Sequence, residues 1–348
     1  MTDVALLRRY QALLAPGTPF RDGLDRIVSG RTGALVVLGH NGAVEAVSTG
    51  GFRIDVDFSP TSLRELAKMD GGIVVKADLS RILSAGVQFM PDSSVPTSEA
   101  GTRHRTADRL SQQTGLPVVT VSASMSTIAL YLHGRRHVVE RSEADIARAN
   151  QALNTLSRYR DRLRDASDTL SALEVSDQVT ARDVALAAQR LELVSRLADE
   201  ITGYVVALGV DGRLVSLQLH ELTLGTSGLG PQLEADYRPA SSDAAMRLAD
   251  LGSLGDDQLL DVGTVTRALG IGSPDTRLTP RGIRQLAQIH RLPSAVATRL
   301  LDHFGGLQGV LTASRSELCA VEGVGDVRAQ AIRDDMLRIT EAAYSRLA

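Results

Sequence analysis

The chain has 348 residues with a formal net charge of −3, and 43% of its residues are hydrophobic. This length predicts two or three domains with a substantial core, and the slight negative charge excludes a globally basic nucleic-acid-binding protein, so any such surface must be local. Aromatic residues make up only 3% and tryptophan is absent, which argues against stacking platforms for single-stranded nucleic acid.

The cysteine content and the hydropathy limit the cellular compartments in which the protein is expected. Cys319 is the only cysteine, so an intrachain disulfide is excluded and a cytosolic location fits. No apolar run approaches the ~20 residues that a membrane-spanning helix needs. Met1-Thr2-Asp3 lacks the basic and apolar regions of a signal peptide. We therefore expect a cytoplasmic protein without a membrane partner.

Short helical patterns and apolar extended runs alternate through residues 1–141. The expected helices are residues 3–14, residues 20–28 and a segment opened by Ser59-Pro60, where a cap residue precedes a proline. The expected strands are residues 34–38, 43–47, 73–75, 82–90, 117–121, 126–132 and 137–139. Asn41-Gly42, between the first two strands, predicts a hairpin turn. Because the helices interrupt the strands irregularly, we predict an α/β domain with a mixed central sheet.

The stretch Asp70-Gly71-Gly72 stands between a helical run, residues 62–68, and a predicted strand. An aspartate followed by two glycines at such a junction lets a ligand approach the backbone closely. An ordinary turn is the alternative, since Asp-Gly is a common turn signal in any protein. The domain carries no Gly-rich loop ending in Gly-Lys-Ser/Thr, so a P-loop enzyme is not expected.

The second polar stretch runs from Gly101 to Ala107 and places two arginines and a histidine between two threonines. Thr102 is predicted to cap a helix, so that residues 103–105 fall in its first turn. Free N–H groups there favour an anion, and arginine suits phosphate oxygens. A solvated basic helix start is the alternative. Together the two stretches supply a carboxylate for a metal and a basic cradle for phosphates, as nucleotidyl transfer requires.

Residues 142–279 read as a helical spine. Ser142 to Asp145 has the form of a capping box, and a second long helix is expected after Thr180. Apolar residues recur at heptad spacing at Ala149, Leu156, Leu163, Leu170, Val184, Ala187, Leu191, Val194, Ala198, Ile201, Val205 and Leu208. This pattern predicts two long antiparallel helices. Residues 225–279 are expected to form short helices, and their sequence indicates no chemistry.

The last stretch, residues 280–348, is predicted to be an all-α domain. The expected helices are residues 280–290, 294–304, 316–320 and 326–339. Gly323, Val324 and Gly325 join the last two helices in a turn similar to a helix-hairpin-helix motif, where backbone N–H groups contact phosphate. Arg328 adds charge beside that turn.

An earlier copy of this hairpin is expected to be degenerate. Leu292-Pro293 replaces the glycines there. The tandem spacing resembles domains of DNA-repair proteins that bind branched DNA. A helical protein-interaction cap is the alternative to DNA contact.

These stretches carry a resemblance to the diadenylate cyclase family. Residues 70–72 (Asp-Gly-Gly) resemble its Asp-Gly-Ala motif, and residues 103–105 match its Arg-His-Arg motif. Matching flanks are residues 33–39, Pro91-Asp92 and Val121-Ser122. The order and length of the whole chain resemble members of the family that scan DNA. Two departures stand out: Gly72 replaces the usual alanine, and Phe89 replaces a leucine that lines the adenine pocket.

The resemblance implies an enzyme that condenses two ATP molecules into cyclic di-AMP and two pyrophosphates. Asp70 would hold the metal and help to deprotonate the ribose hydroxyl, Phe89 would contact adenine, and Ser122 and the glycines of residues 71–72 would shape the site. The phosphates would be bound by Thr102, Arg103, His104, Arg105 and Thr106. Carboxylate and phosphate oxygens are hard ligands, so Mg²⁺ or Mn²⁺ is expected.

The family resemblance also implies a homo-oligomer with cyclase domains face to face, by analogy an octamer, and a partner in branched DNA. The expected domains are a cyclase domain at 1–141, a helical linker at 142–279 and a hairpin domain at 280–348. The alternative function is a non-enzymatic DNA-binding scaffold whose first domain only binds nucleotide. Gly72 and Phe89 favour that alternative, whereas Asp70 and the intact Arg-His-Arg motif argue against it.

Overall fold

The computed structural model describes residues 3–237 and 246–347. The chain divides into two compact units: Met1–Gln151 with Ile201–Leu217, and Ala152–Glu200 with Gln218–Ala348. Across the described ranges, no helix combines the length and hydropathy needed to cross a bilayer. The boundaries expected at residues 141 and 279 stay a prediction.

The chain forms eight strands and sixteen α-helices within the described residues. The strands are β1 (Ala34–Leu38), β2 (Ser48–Thr49), β3 (Phe52–Asp57), β4 (Gly72–Val75), β5 (Arg81–Phe89), β6 (Val118–Ser122), β7 (Thr127–Leu132) and β8 (Arg135–Val139). The helices of the first half are α1 (Asp3–Leu14), α2 (Pro19–Ser29), α3 (Gly42–Ala46), α4 (Pro60–Leu66), α5 (Thr102–Thr114), α6 (Ser142–Val175) and α7 (Ala181–Leu208). The remaining helices are α8 (Arg213–Thr223), α9 (Leu229–Asp236), α10 (Asp256–Leu260), α11 (Val262–Ala268), α12 (Ile283–Leu286), α13 (Ser294–Phe304), α14 (Leu307–Thr312), α15 (Arg315–Cys319) and α16 (Asp326–Leu347).

One mixed sheet organises the first unit. Its strand order is β2-β5-β4-β1-β6-β7-β8, and β3 also pairs with β5. Strands β1 and β4 are parallel, whereas the other pairs are antiparallel. The predicted mixed central sheet is therefore confirmed.

Helices cover both faces of this sheet, so its central strands are buried on both sides. Strand β1 shows the pattern: Ala34, Val36 and Leu38 pack in one core with α1, α2 and α4, while Leu35 and Val37 pack in another. That second core lies against α3 and α5. Because both faces are covered, β1 is an unbroken apolar run rather than an alternating one.

The hairpin turn expected at Asn41-Gly42 is wrong. Asn41 caps α3 instead, and its side-chain oxygen accepts a hydrogen bond from the Val44 N–H at 2.9 Å. The predicted strand 43–47 is consequently helical. Asparagine serves as well at a helix start as in a turn, so the dipeptide alone did not separate the two.

The two long helices of the predicted spine are present as α6, with 34 residues, and α7, with 28. The heptad positions from Ala149 to Leu170 are all buried, as are Val184, Ala187 and Val194. Short helices follow, as predicted for residues 225–279, although residues 238–245 of that segment lie outside the described residues.

A buried polar network lies in the second unit, where the sequence indicated no chemistry. Glu174 is fully buried and accepts hydrogen bonds from Tyr237 at 2.6 Å and from Arg284 at 3.1 and 3.2 Å. Gln285 donates to the same carboxylate. Asp236 accepts three backbone N–H bonds, at 2.5 to 2.7 Å, from residues 282–284 at the start of α12. The network ties α6 and α9 to the beginning of the predicted hairpin domain.

Three of the C-terminal helices follow the prediction, whereas the first differs from it and α14 was not predicted. Helix α12 covers only Ile283–Leu286, not residues 280–290. Gly282 stands before it with φ +109°, a left-handed conformation outside a helix, and turns follow. Helices α13, α15 and α16 match the predicted segments, and α16 continues to Leu347.

Candidate functional site

An open cavity of about 560 Å³ lies in the first unit where β4 begins, β5 and β6 end, and α5 begins. The predicted site residues that line it are Asp70, Gly71, Gly72, Phe89, Thr102, Arg103, His104, Thr106 and Ser122. Arg105 does not line it. Stretches more than thirty residues apart in sequence therefore meet at one site, apart from Arg105.

The entry to β4 brings an exposed carboxylate to this cavity. Asp70 is exposed and precedes Gly71, whose φ is +107°. A Cβ at Gly71 would lie 2.7 Å from the carbonyl carbon of Gly86 and 2.8 Å from the oxygen of Val87. Only glycine fits this left-handed, crowded position, so Gly71 fixes the turn that presents Asp70.

The two departures from the family pattern are in contact. A Cβ at Gly72 would lie 2.4 Å from Cε2 of Phe89 and 3.1 Å from Cδ2 of Leu35. The Phe89 ring thus occupies the space that an alanine methyl would need. Gly72 and Phe89 compensate for each other, and the ring remains part of the cavity wall.

The start of α5 differs by one residue from the prediction. Thr102 is the first helical residue rather than the cap, and Gly101 precedes it with φ +85° and no side-chain capping bond. The free N–H groups of the first turn therefore have no side-chain cap. Arg103 and Arg105 both lie in this turn, and neither forms an ion pair with a carboxylate of the described residues. Unpaired cations at the positive end of a helix favour an anionic ligand.

The two arginines have different surroundings. Arg103 lines the cavity, and its guanidinium packs against Gly33, where a Cβ would lie 2.2 Å from Nη1. Gly33 is thus a residue whose role sequence reasoning missed: it leaves room for that guanidinium. Arg105 is exposed outside the cavity of its own chain.

His104 is held from behind by a buried tyrosine. Its Nδ1 lies 2.9 Å from the Tyr131 hydroxyl and 3.4 Å from Oγ1 of Thr120. Burial lowers the pKa of His104, and nearby Arg136 and Arg103 add to that shift while Glu99 opposes it. Burial also raises the pKa of Tyr131. The imidazole is accordingly neutral near pH 7.

The end of β6 forms another part of the cavity wall. Ser122 is buried, lies 3.3 Å from the Ser124 hydroxyl, and accepts a hydrogen bond from the Met125 N–H. Ser124 also lines the cavity, although the sequence gave no reason to single it out. These hydroxyls add neutral polar groups to the cavity wall.

A divalent cation fits this donor set only with help from substrate. Within residues 3–237 and 246–347, no three carboxylate, histidine or cysteine side chains gather as metal ligands. Asp70 is the carboxylate that lines the cavity. Mg²⁺ commonly uses one or two carboxylates and completes its shell with phosphate oxygens and water. Asp70 beside a phosphate-binding helix start fits that mode.

The second predicted site is the hairpin between α15 and α16. Gly323 has φ +88°, and its carbonyl accepts a hydrogen bond from Arg328. Gly325 is exposed, and a Cβ there would meet nothing within 4 Å. Val324 supports the hairpin instead: its side chain is buried, and its N–H donates to Val321 at 3.0 Å. Gly323, Gly325 and Arg328 are therefore the predicted contacts that face solvent.

The earlier hairpin keeps the same backbone despite its different sequence. Arg291 has φ +58° where the later copy has Gly323, and Leu292 donates its N–H to Ile289 at 3.3 Å as Val324 does to Val321. Pro293 precedes α13 as Gly325 precedes α16. A positive φ is unfavourable for arginine, so this copy is strained but not lost.

Three family models match consecutive parts of the chain. The model described as DisA bacterial checkpoint controller nucleotide-binding matches residues 21–136, which contain the whole cavity. The DisA bacterial checkpoint controller linker region matches residues 139–277, and a helix-hairpin-helix motif matches residues 306–334.

Curated relatives match over nearly the full length. The DNA integrity scanning protein DisA of Frankia alni is 52% identical, covering 97% of this chain and 96% of the relative. That of Kineococcus radiotolerans is 53% identical over 98% and 97%, and that of Streptomyces coelicolor is 52% identical over 97% and 93%. The chain belongs to the DisA family.

Solved structures add little to the DisA assignment. A hypothetical membrane spanning protein from Bacillus cereus is 24% identical, with a TM-score of 0.32, covering 35% of this chain and 62% of that protein. A double mutant of DacA from Staphylococcus aureus is 21% identical, with a TM-score of 0.29, covering 39% and 87%. Both TM-scores are too low to support an argument. The DisA assignment therefore rests on the family models and the relatives.

Proposed function

We propose that this protein is a diadenylate cyclase that condenses two ATP molecules into cyclic di-AMP and two pyrophosphates. One observation carries the proposal: the cavity joins an exposed carboxylate, Asp70, to a helix start where Arg103 has no ion-pair partner among the residues that the structure describes. The match of this region to a DisA nucleotide-binding model supports ATP as the ligand.

The reaction joins two nucleotides by two equivalent substitutions. The 3′-hydroxyl oxygen of each ATP attacks the α-phosphorus of the other, and the bond from that phosphorus to the β-phosphate bridging oxygen breaks. Each 3′-hydroxyl loses one proton, and each leaving group departs as pyrophosphate. Catalysis then depends on alignment of the attacking oxygen and on neutralising charge around the α-phosphate.

The residues of the cavity divide these tasks. A bound Mg²⁺ or Mn²⁺ would neutralise phosphate charge, and Asp70 is the residue that would hold it. Arg103 and the free N–H groups of α5 bind phosphate oxygens, with Thr102 and Thr106 beside them. Three further lining residues shape the nucleotide pocket. Phe89 contacts the adenine, Gly72 leaves room for the Phe89 ring, and Ser122 completes the wall.

Two copies of the chain are needed for this chemistry. One cavity of this composition is present in the described residues, and one ATP per cavity means that two openings face each other. Arg105 is exposed outside its own cavity, so in such a pair it is free to approach the phosphates in the opposite copy. We propose a face-to-face homo-oligomer in the cytoplasm, an octamer by family resemblance.

The decisive assay incubates purified protein with ATP and Mg²⁺ or Mn²⁺ and measures cyclic di-AMP and pyrophosphate. We expect a product ratio of one cyclic dinucleotide to two pyrophosphates. Asp70→Asn should abolish turnover yet leave the unfolding transition unchanged, because the side chain is exposed and the change nearly isosteric. If the wild-type protein binds ATP but forms no cyclic dinucleotide with either metal, the chain is the nucleotide-binding scaffold instead.

We further propose that branched DNA binds the hairpin of residues 323–325 and lowers cyclase activity. The helix-hairpin-helix match and the exposed glycines support DNA-backbone contact. DNA bound to the second unit would exert a force on α6. That force would disturb the alignment of the opposed active sites, which tolerate little displacement.

The test measures cyclase rate against four-way-junction concentration. Gly325→Glu places a negative charge at the hairpin without steric conflict, since a Cβ there meets nothing within 4 Å. Gly325→Gln is the matched neutral control. We expect inhibition of wild type, weaker inhibition of the Gln variant and none of the Glu variant, with equal basal rates. Equal inhibition of all three proteins would exclude this hairpin as the contact.

A further inference from the structure

Two buried hydroxyls meet one ring nitrogen of His104. Thr120 in β6 and Tyr131 in β7 are both fully buried, on adjacent antiparallel strands. Their hydroxyls lie 3.4 Å and 2.9 Å from the same atom, Nδ1 of His104. His104 itself lines the cavity, so its other ring nitrogen, Nε2, is the one left to face a ligand there.

The number of protons that these three polar groups share determines which of them donate and which accept. Thr120 and Tyr131 each bring one hydroxyl proton, and in the described part of the chain Nδ1 of His104 is the acceptor within reach of both. If Nδ1 is unprotonated, Tyr131 donates to it at 2.9 Å and the Thr120 hydroxyl can share the same acceptor at 3.4 Å. If Nδ1 carried a proton, neither hydroxyl could donate to it, and both buried hydroxyl protons would lose that acceptor. A buried unsatisfied donor costs ~1–3 kcal/mol, which favours the first arrangement.

We propose that Thr120 and Tyr131 are positioning residues that hold the neutral imidazole of His104 with its proton on Nε2. His104 is then a fixed hydrogen-bond donor to the phosphate oxygens in the cavity, and it has no lone pair there with which to act as a base. The arrangement of protons stands on the geometry alone, whereas its role in turnover rests on the proposed cyclase function.

The charged surroundings agree with a neutral ring. Arg103 from the same helix and Arg136 from β8 repel a proton on His104, and Glu99 attracts one less strongly than burial and Arg136 disfavour it. Burial keeps Tyr131 un-ionised, so it remains a donor rather than a proton acceptor. The proton released by the ribose hydroxyl must consequently leave by another route, such as the Asp70 side of the cavity.

The direct test is ¹⁵N NMR of protein labelled at its seven histidines, with the His104 signals assigned from their loss in His104→Gln. We expect one neutral tautomer with the proton on Nε2 from pH 6.5 to 8. Thr120→Val/Tyr131→Phe keeps both shapes but removes both donors, and should give a tautomer mixture. A wild-type signal from the Nδ1–H tautomer, from a mixture or from imidazolium would overturn the proposal, whether or not the protein is active.

Kinetics separate a donor from a base. Glutamine keeps a neutral N–H donor near the Nε2 position, so His104→Gln should retain kcat/KM within about tenfold, while His104→Ala should lose about another tenfold. Tyr131→Phe should lower kcat/KM about fivefold, and Tyr237→Phe, which removes a buried tyrosine hydroxyl in the other unit, should not change it. Equal inactivity of the Gln and Ala variants would contradict the donor role. An inactive wild type with the expected tautomer would instead contradict the cyclase proposal.

Discussion

The contact between Gly72 and Phe89 allows a quantitative test of the pocket. Gly72→Ala adds one methyl at a buried strand position, 2.4 Å from Cε2 and 3.0 Å from Cδ2 of the Phe89 ring. Carbon atoms in contact prefer 3.5–4.0 Å, so the ring or β4 must move by about 1 Å. Overpacking of this kind typically costs ~1–3 kcal/mol of unfolding free energy.

Phe89→Leu should remove the obstacle. It leaves a small void and should cost ~1 kcal/mol alone, but it makes room for the methyl of Gly72→Ala. The double variant should therefore be less destabilised than the sum of the two single variants by ~1–3 kcal/mol. ATP affinity should follow the same pattern, because Phe89 lines the cavity.

The assay is urea unfolding of wild type, the two single variants and the double variant, with ATP calorimetry on each. Gly42→Ala is the matched control: a Cβ there meets nothing within 4 Å and the residue begins α3, so no loss of stability is expected. Additive unfolding free energies within 0.5 kcal/mol would refute the compensation, since coupled neighbours must deviate by more.

Three further predictions concern single side chains. Arg103→Ala should weaken ATP binding roughly ten- to a hundredfold by calorimetry; unchanged affinity would contradict its place in the cavity. Burial, with Glu174 nearby, raises the pKa of Asp236 to about 6. Its stabilising contribution is thus present below pH ~4 and lost as pH rises through ~6. The unfolding free energy of wild type, relative to that of Asp236→Asn, should therefore fall by ~3 kcal/mol from pH 4 to 7. A difference that does not depend on pH would exclude the shift. Arg291→Gly should relieve a φ of +58° and raise unfolding free energy by ~0.5–1 kcal/mol, measured beside Arg291→Ala, which keeps the strain; a less stable glycine variant would refute it.

Local patterns predicted the parts of this structure that local physics determines. The apolar run of β1, the cap-proline start of α4 and the heptad residues of α6 were identified because each pattern favours one structure. Asn41 was misassigned because its side chain caps a helix as readily as it initiates a turn. The helix cap and the turn at Asn41 are distinguished by burial in the fold rather than by a local sequence signal.

The candidate site was predictable in composition but not in orientation. Spacing could not reveal that Arg105 lies outside the cavity that Arg103 lines, since a helix distributes successive side chains around its axis. Tyr131 sits in an apolar strand and is indistinguishable from a core residue until the fold brings it 2.9 Å from His104, twenty-seven residues away.

The buried carboxylate of Glu174 constrains how such a protein can be assembled in evolution. A gene fusion that joined a new C-terminal module at residue 280 would remove Arg284 and Gln285, and Tyr237 would be the remaining described residue that hydrogen-bonds to the buried Glu174 carboxylate. Loss of one partner from a buried ion pair costs ~3–5 kcal/mol, a large share of the stability of a typical domain. We therefore expect the hairpin domain to be exchangeable only together with α6 and α9, and recombination within this region to require matched changes on both sides of the junction.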